Sequence, residues 1–190
     1  MLENSVTRRR LLIGTGAVAT GTVTGVSLLS NNAEATVDGE FRIPDAKTTL
    51  PDQSLTDIRL TCTADWSFEA NAPITQVETE LYVGSGEQTA DLIARQVKEN
   101  VTKESLTGTA KLNGSLMSSA DFDVSDFSPT SGELSTEVTA ILRFYCIRES
   151  NVVAEAEHIE TFTVTTVDEE LQVDTSLGGT GNVTFVKDSL

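Results

Sequence analysis

Asp57-Ile58-Arg59-Leu60-Thr61-Cys62-Thr63-Ala64-Asp65-Trp66-Ser67-Phe68 alternates without a break. Ile58, Leu60, Cys62, Ala64, Trp66 and Phe68 fall on one side of an extended chain, and Arg59, Thr61, Thr63, Asp65 and Ser67 on the other. A period of two marks a strand with one dry face and one wet face, the habit of antiparallel sheets. Downstream, Asn71-Ala72-Pro73 predicts a turn. Residues 74–83 then predict a second strand, with Val77, Leu81 and Val83 inward and Glu78, Glu80 and Tyr82 outward.

The pattern spreads in both directions. A first strand is expected near 37–43, followed by an extended linker over 44–56 that holds Pro44 and Pro51. Further strands are expected at 105–113, 120–124, 134–148 and 152–167, with weaker ones at 170–174 and 182–187 around the Gly178-Gly179-Thr180-Gly181 turn. Leu134, Val138, Ala140, Leu142, Phe144 and Cys146 share one parity, and Glu149-Ser150-Asn151 reads as the hairpin into the next strand. There Val152, Ala154, Ala156, Phe162 and Val164 form the inward set. His158 and Glu160 have the same parity, so a bulge near Ile159, or an exposed face, is expected to give them to solvent. One helix interrupts the series: Ala90, Ile93, Ala94 and Val97 stand at i, i+3, i+4 and i+7, with Thr89 as N-cap and Asp91 in the first turn. The expected fold is therefore mainly β, an antiparallel β-sandwich of about seven to nine strands with one short helix near 88–99.

The first 35 residues read as an address. Thr7-Arg8-Arg9-Arg10-Leu11-Leu12-Ile13 sets an arginine pair before an apolar run over 11–29, and Ala33-Glu34-Ala35 supplies a small-x-small cleavage site. Such a leader belongs to the twin-arginine (Tat) route. Residues 1–35 are then a signal, and 36–190 a single domain. The run is rich in Gly and Thr, so the expected membrane insertion is at most an uncleaved leader acting as an anchor. With the leader and the composition together, the chain resembles uncharacterised twin-arginine exported acidic surface proteins of haloarchaea. That resemblance implies export by the Tat translocase, a cell-surface or extracellular life, and no particular chemistry. An acidic bacterial exported protein is the alternative.

Charge narrows the partners. The chain of 190 residues carries 29 acids against 13 bases, a net charge of −16. The leader holds Arg8, Arg9, Arg10, Glu3 and Glu34; without it 13 − 3 = 10 bases face 29 − 2 = 27 acids, a net of −17. Phosphate backbones and anionic lipid repel such a surface. Few lysines and many Asp, Glu and Thr suit a saline medium, where screening acts over about 3 Å at 1 M salt.

Candidate chemistry is thin. Cys62 and Cys146 both have inward parity, which makes a disulfide their leading reading in an exported domain; two buried thiols packing as small apolar groups are the alternative. Immunoglobulin hallmarks do not fit, because Trp66 shares a strand with Cys62 and Tyr145 directly precedes Cys146. Asn100-Val101-Thr102, Asn113-Gly114-Ser115 and Asn182-Val183-Thr184 are glycosylation candidates. Asp121-x-Asp123-x-x-Asp126 and Asp168-Glu169-Glu170 offer oxygens to Ca²⁺, without the glycine and distal Glu of an EF-hand loop. His158 is the single histidine, expected as a partly exposed strand residue. No catalytic set, cofactor or resident metal is expected. The leading expectation is a non-enzymatic surface protein with a structural or adhesive role, associating with itself or with other surface proteins, and in its sharper form a filament subunit built by strand donation from 37–43 or 182–187. A polysaccharide- or Ca²⁺-binding module is the alternative, and a carboxylate hydrolase stands third.

Overall fold

The computed structural model describes residues 25–27, 33–38, 41–50, 55–168 and 181–187. Its elements are β1 (Gly25–Ser27), β2 (Ala33–Asp38), β3 (Ala46–Thr49), β4 (Leu55–Gly84), β5 (Asp91–Ser115), β6 (Gly132–Arg148), β7 (Asn151–Asp168) and β8 (Gly181–Lys187). Two single-turn 3₁₀ helices, Leu116–Ser118 and Val124–Phe127, link β5 to β6.

All eight strands join one sheet. Its main path runs β1-β7-β6-β4-β2, while β3 pairs with β7, and β5 and β8 pair with β4. The β3–β7 pairing is parallel, from Ala46 against Val164 to Thr49 against Val167, so the sheet is mixed rather than wholly antiparallel. That strand lies inside the stretch expected as a linker. Hydrogen bonding to the β7 edge recruits a segment whose two prolines argue for irregular chain.

β4 organises everything else. The alternating stretch sits in its first half, and Ile58, Leu60, Cys62, Ala64, Trp66 and Phe68 are all buried, as their parity requires. No turn forms at Asn71-Ala72-Pro73. The strand runs on through them, and the β4–β5 register slips between Glu69 and Ile74 instead. Before the slip β4 lies between β5 and the terminal strands β2 and β8; after it, between β5 and β6. The Trp66 ring stacks on Phe144 of β6 at 4.9 Å and 21°. Phe144 pairs with Thr79 in the second half of β4, so this stack ties the first half of β4 to the strand that borders the second.

The helix expected near 88–99 is the first part of β5. Ala94 opposes Leu81, Gln96 opposes Thr79 and Val97 opposes Glu78, with Ile93 as the extra residue of a bulge. Four apolar positions fit a helix equally well, but β4 needs a partner along its second half. Val97 is 39% exposed, so no buried helical stripe exists. Thr89 closes a turn onto the Gly86 carbonyl rather than capping a helix.

Residues 120–124, expected as a strand, are turn and the start of the second 3₁₀ helix. The bulge expected near Ile159 lies at Val153, where Cys146 faces Ala154 but Ile147 faces Val152. It turns Val152 outward, leaving it 41% exposed. With no slip at Ile159, His158 keeps its inward parity. It is buried, with its ring edge-on to Phe41 at 6.5 Å. The strand expected at 170–174 lies outside the described residues. Among the described residues no helix is long and apolar enough to cross a membrane.

Candidate functional site

Among the described residues, a dense group of interacting ionisable side chains lies on the outer face of β5, β4, β6 and β7. Strand register builds it. Arg95 of β5 opposes Glu80 of β4, Glu80 opposes Arg143 of β6, and Arg143 opposes Glu157 of β7. One row across four strands thus reads plus, minus, plus, minus. Opposite charges facing each other across a ladder stabilise it, whereas like charges would not. The row below adds Glu78 beside Tyr145, and the row above adds Tyr82 beside Ile141.

Ion pairs and hydrogen bonds run through this ladder. The Arg95 guanidinium makes a close ion pair with Glu78 and stands 3.6 Å from Glu80. The Gln76 amide donates to Glu78 at 3.4 Å, and the Tyr82 hydroxyl donates to Glu80 at 2.5 Å. Arg143 Nε donates to Glu157 at 2.6 Å while its guanidinium lies 4.9 Å over the Tyr82 ring. Long side chains lying along the sheet cover one another. For this reason Glu78 and Glu80, expected in solvent, are 6% and 9% exposed.

The two carboxyls titrate apart. Burial pushes Glu78 up, but hydrogen bonds from Arg95, Glu80 and Gln76, with the Arg95 charge, outweigh it and hold the group below the usual range. Burial also pushes Glu80 up, and there the Glu78 charge adds to it against the Tyr82 hydrogen bond, so Glu80 ends raised. Burial, together with the Glu80 carboxylate, drives the Tyr82 phenol well above its ordinary value.

A carboxyl pair split in this way is what acid–base catalysis uses. Arg95 stands between Glu78 and Glu80, and Tyr82 donates to Glu80, so both carboxyls are engaged by neighbours on the sheet face. The arrangement ties β5 to β4 through Arg95 and β6 to β7 through Arg143 and Glu157.

The residues singled out in the sequence do not converge. Cys62 faces Leu112 of β5 and Cys146 faces Val77 of β4. Both are free, wholly buried thiols in this structure, packed as small apolar groups rather than joined as the expected disulfide. Burial pushes each of them up to about 12. Asn100 and Asn113 lie on β5 and Asn182 on β8. Arg8 and Arg9 lie outside the described residues, while Ala33 and Ala35 belong to β2. Asp121, Asp123 and Asp126 do not form a cation loop. Asp121 accepts from the Ser85 amide at 2.7 Å, and Asp123 and Asp126 form the capping box of the Val124–Phe127 helix. Asp168 closes β7, and Glu169 and Glu170 lie outside the described residues. Among the described residues no group of three His, Cys, Asp or Glu side chains is placed to hold a metal ion.

Sequence alone does not show the ladder, because it does not show strand order. Glu78, Glu80, Arg143 and Glu157 all have outward parity, but only register shows that they meet. No protein-family model, no curated protein and no solved structure matches the chain.

Proposed function

We propose that this chain is an exported, non-enzymatic β-sandwich protein of the cell surface, carried out folded by the Tat translocase, with a structural or adhesive role. The observation that carries the non-enzymatic reading is the ladder of Glu78, Glu80, Tyr82, Arg95, Arg143 and Glu157, whose carboxylates each pair with an arginine or accept from Tyr82. The sandwich reading is supported by three contacts, one from the first half of β4 to β6 and two between the halves of β5. Trp66 stacks on Phe144, the Gln96 side-chain carbonyl accepts from the Lys111 amide at 2.9 Å, and Gly114 lies against Ile93. The Arg8-Arg9 pair and the acidic surface, which resemble those of twin-arginine exported haloarchaeal proteins, support the export reading. Neither nucleic acid nor an anionic membrane surface suits a net charge of −16. Cell fractionation tests location. A shortened chain outside the cell is expected, with loss of export when Arg8 and Arg9 are both changed to lysine. A leader-bearing chain found wholly inside defeats the reading.

Self-association is favoured by where the leader ends. β2 begins at Ala33 and pairs with residues 65–70 of β4, and β1 pairs with residues 155–157 of β7. Cleavage after Ala35 would remove β1 and half of β2, leaving two stretches of edge without partners. An unpaired edge accepts a strand from another copy. Size-exclusion chromatography of the full chain and of a chain starting at Thr36 separates the cases. Larger species from the shortened chain alone support strand exchange, and two monomers oppose it.

A further inference from the structure

We propose that, of the two sequons on β5, Asn100 is the N-glycan acceptor that the folded domain presents, and that Asn113, with an equally good sequon, is held out of an acceptor loop by the strand pairing around it. In the cell this rests on the export reading, because the modifying enzymes act outside; the discrimination between the two asparagines does not.

Asn100, Val101 and Thr102 form the bend of β5. Asn100 and Thr102 have φ of +56° and +48°, both in the left-handed region. Asparagine tolerates that region, but a β-branched threonine does so only under local constraint. The constraint is Val101, which is buried while Asn100 and Thr102 are exposed. An anchored middle residue thus turns the acceptor amide and the hydroxyl two places later outward together. The β4–β5 register is interrupted here, with Lys103 facing Ile74 and the next pair being Glu99 with Gln76. Lifting residues 100–102 into an enzyme groove therefore breaks little of the ladder.

Asn113 is exposed as well, but it is tied into the sheet. It faces Thr61 within the unbroken run from Arg59 to Glu69 of β4. Its amide nitrogen donates to Thr61 Oγ1 at 2.7 Å, and its side-chain carbonyl accepts from Arg59 at 3.1 Å. The following Gly114 lies against Ile93 so closely that a Cβ there would stand 2.6 Å from the Ile93 carbonyl oxygen. Bending this segment into an acceptor loop means local unfolding of β5.

The transfer uses a polyprenyl-diphosphate oligosaccharide. Asn100 Nδ2 attacks the anomeric carbon and the carbon–oxygen bond to phosphate breaks. The lipid diphosphate leaves with the electron pair, and the amide gives one proton to a base of the transferase. The folded full chain, incubated with an oligosaccharyl transferase and such a donor, tests the proposal by peptide mass. Trypsin places the two sites on separate peptides, residues 99–103 and 112–143. Expected are a glycan on 99–103, none on 112–143, and modification of both once the chain is unfolded in reduced form. Asn100→Gln and Thr102→Ala should abolish the folded-state product, while Thr102→Ser restores it. A glycan on Asn113 of the folded chain, or a bare Asn100, overturns the proposal. The same peptides from exported protein test the cellular case. Retention of the chain inside the cell would count against export and would not alter which asparagine the folded chain presents in vitro.

Discussion

Thr166 faces the core from β7, opposite Leu134, with a hydroxyl that is fully buried and has no hydrogen-bond partner among the described residues. An orphaned buried hydroxyl forfeits its hydration, so replacing it with an apolar group of the same shape should help. Thr166→Val is expected to raise stability by about 1 kcal/mol, read as a higher urea midpoint at unchanged slope. The carboxyl pair makes a second residue-scale case, and here the signs oppose. Glu78 is held low in the folded state, so its contribution is present above its unfolded value near 4.5 and is lost as pH falls through the folded value. Glu80 is raised, so its contribution is present below 4.5 and is lost as pH rises through the folded value. Glu78→Gln should therefore cost about 1 kcal/mol at neutral pH, with the cost fading as the solution is acidified. Glu80→Gln should behave in reverse, least harmful at neutral pH and relatively worse in acid. Urea titrations at neutral and acid pH compare the three proteins. Equal pH profiles would mean that the pair carries no split titration.

At the scale of elements, β5 shows where local pattern loses to pairing. Ala90, Ile93, Ala94 and Val97 satisfy a helical stripe, but the stripe has four members and no further turn to extend it. An extended β4 with an open side leaves more to be gained from a ladder than from a marginal helix. The two readings differ in what Val97 is worth. On β5 it is 39% exposed, and Val97→Thr should change stability by less than about 0.5 kcal/mol. Ile141, on the outer face beneath the ladder, is buried, and Ile141→Ala should cost about 2–4 kcal/mol. A large loss at Val97 would instead signal a buried helical contact. The first half of β4 and most of β6 are legible in the sequence because six alternating positions fix a parity without knowledge of partners, whereas the sequence predicts a break at Asn71-Ala72-Pro73 that β4 does not make and an inward Val152 that β7 exposes. The inward residues from Ile58 to Phe68 are legible for the same reason. Strand order, the parallel β3 and the ion ladder are not, because each depends on which strands become neighbours. His158 escapes the sequence pattern by one slipped residue, since the bulge that re-aims β7 sits at Val153.

At the scale of the molecule, charge sets the conditions under which the sheet holds. A net charge of −16 repels itself, and among the described residues exposed acids such as Glu69, Glu99, Glu104 and Glu137 stand on the strands of the sheet. The ladder differs, because its acids are buried beside their cations and are screened little by salt. Stability should therefore climb with ionic strength through the surface alone. The urea midpoint is expected to be higher in about 2 M KCl than in about 0.1 M, and most of that gain should already be present near 0.5 M, where the screening length has fallen to a few ångströms. Changing Glu69, Glu99, Glu104 and Glu137 together to glutamine should flatten the dependence. Glu78→Gln should leave its slope unchanged while lowering the whole curve. If the surface variant keeps the full salt dependence, the gain comes from salt-strengthened burial of apolar surface, and self-repulsion is not what limits this fold in dilute solution.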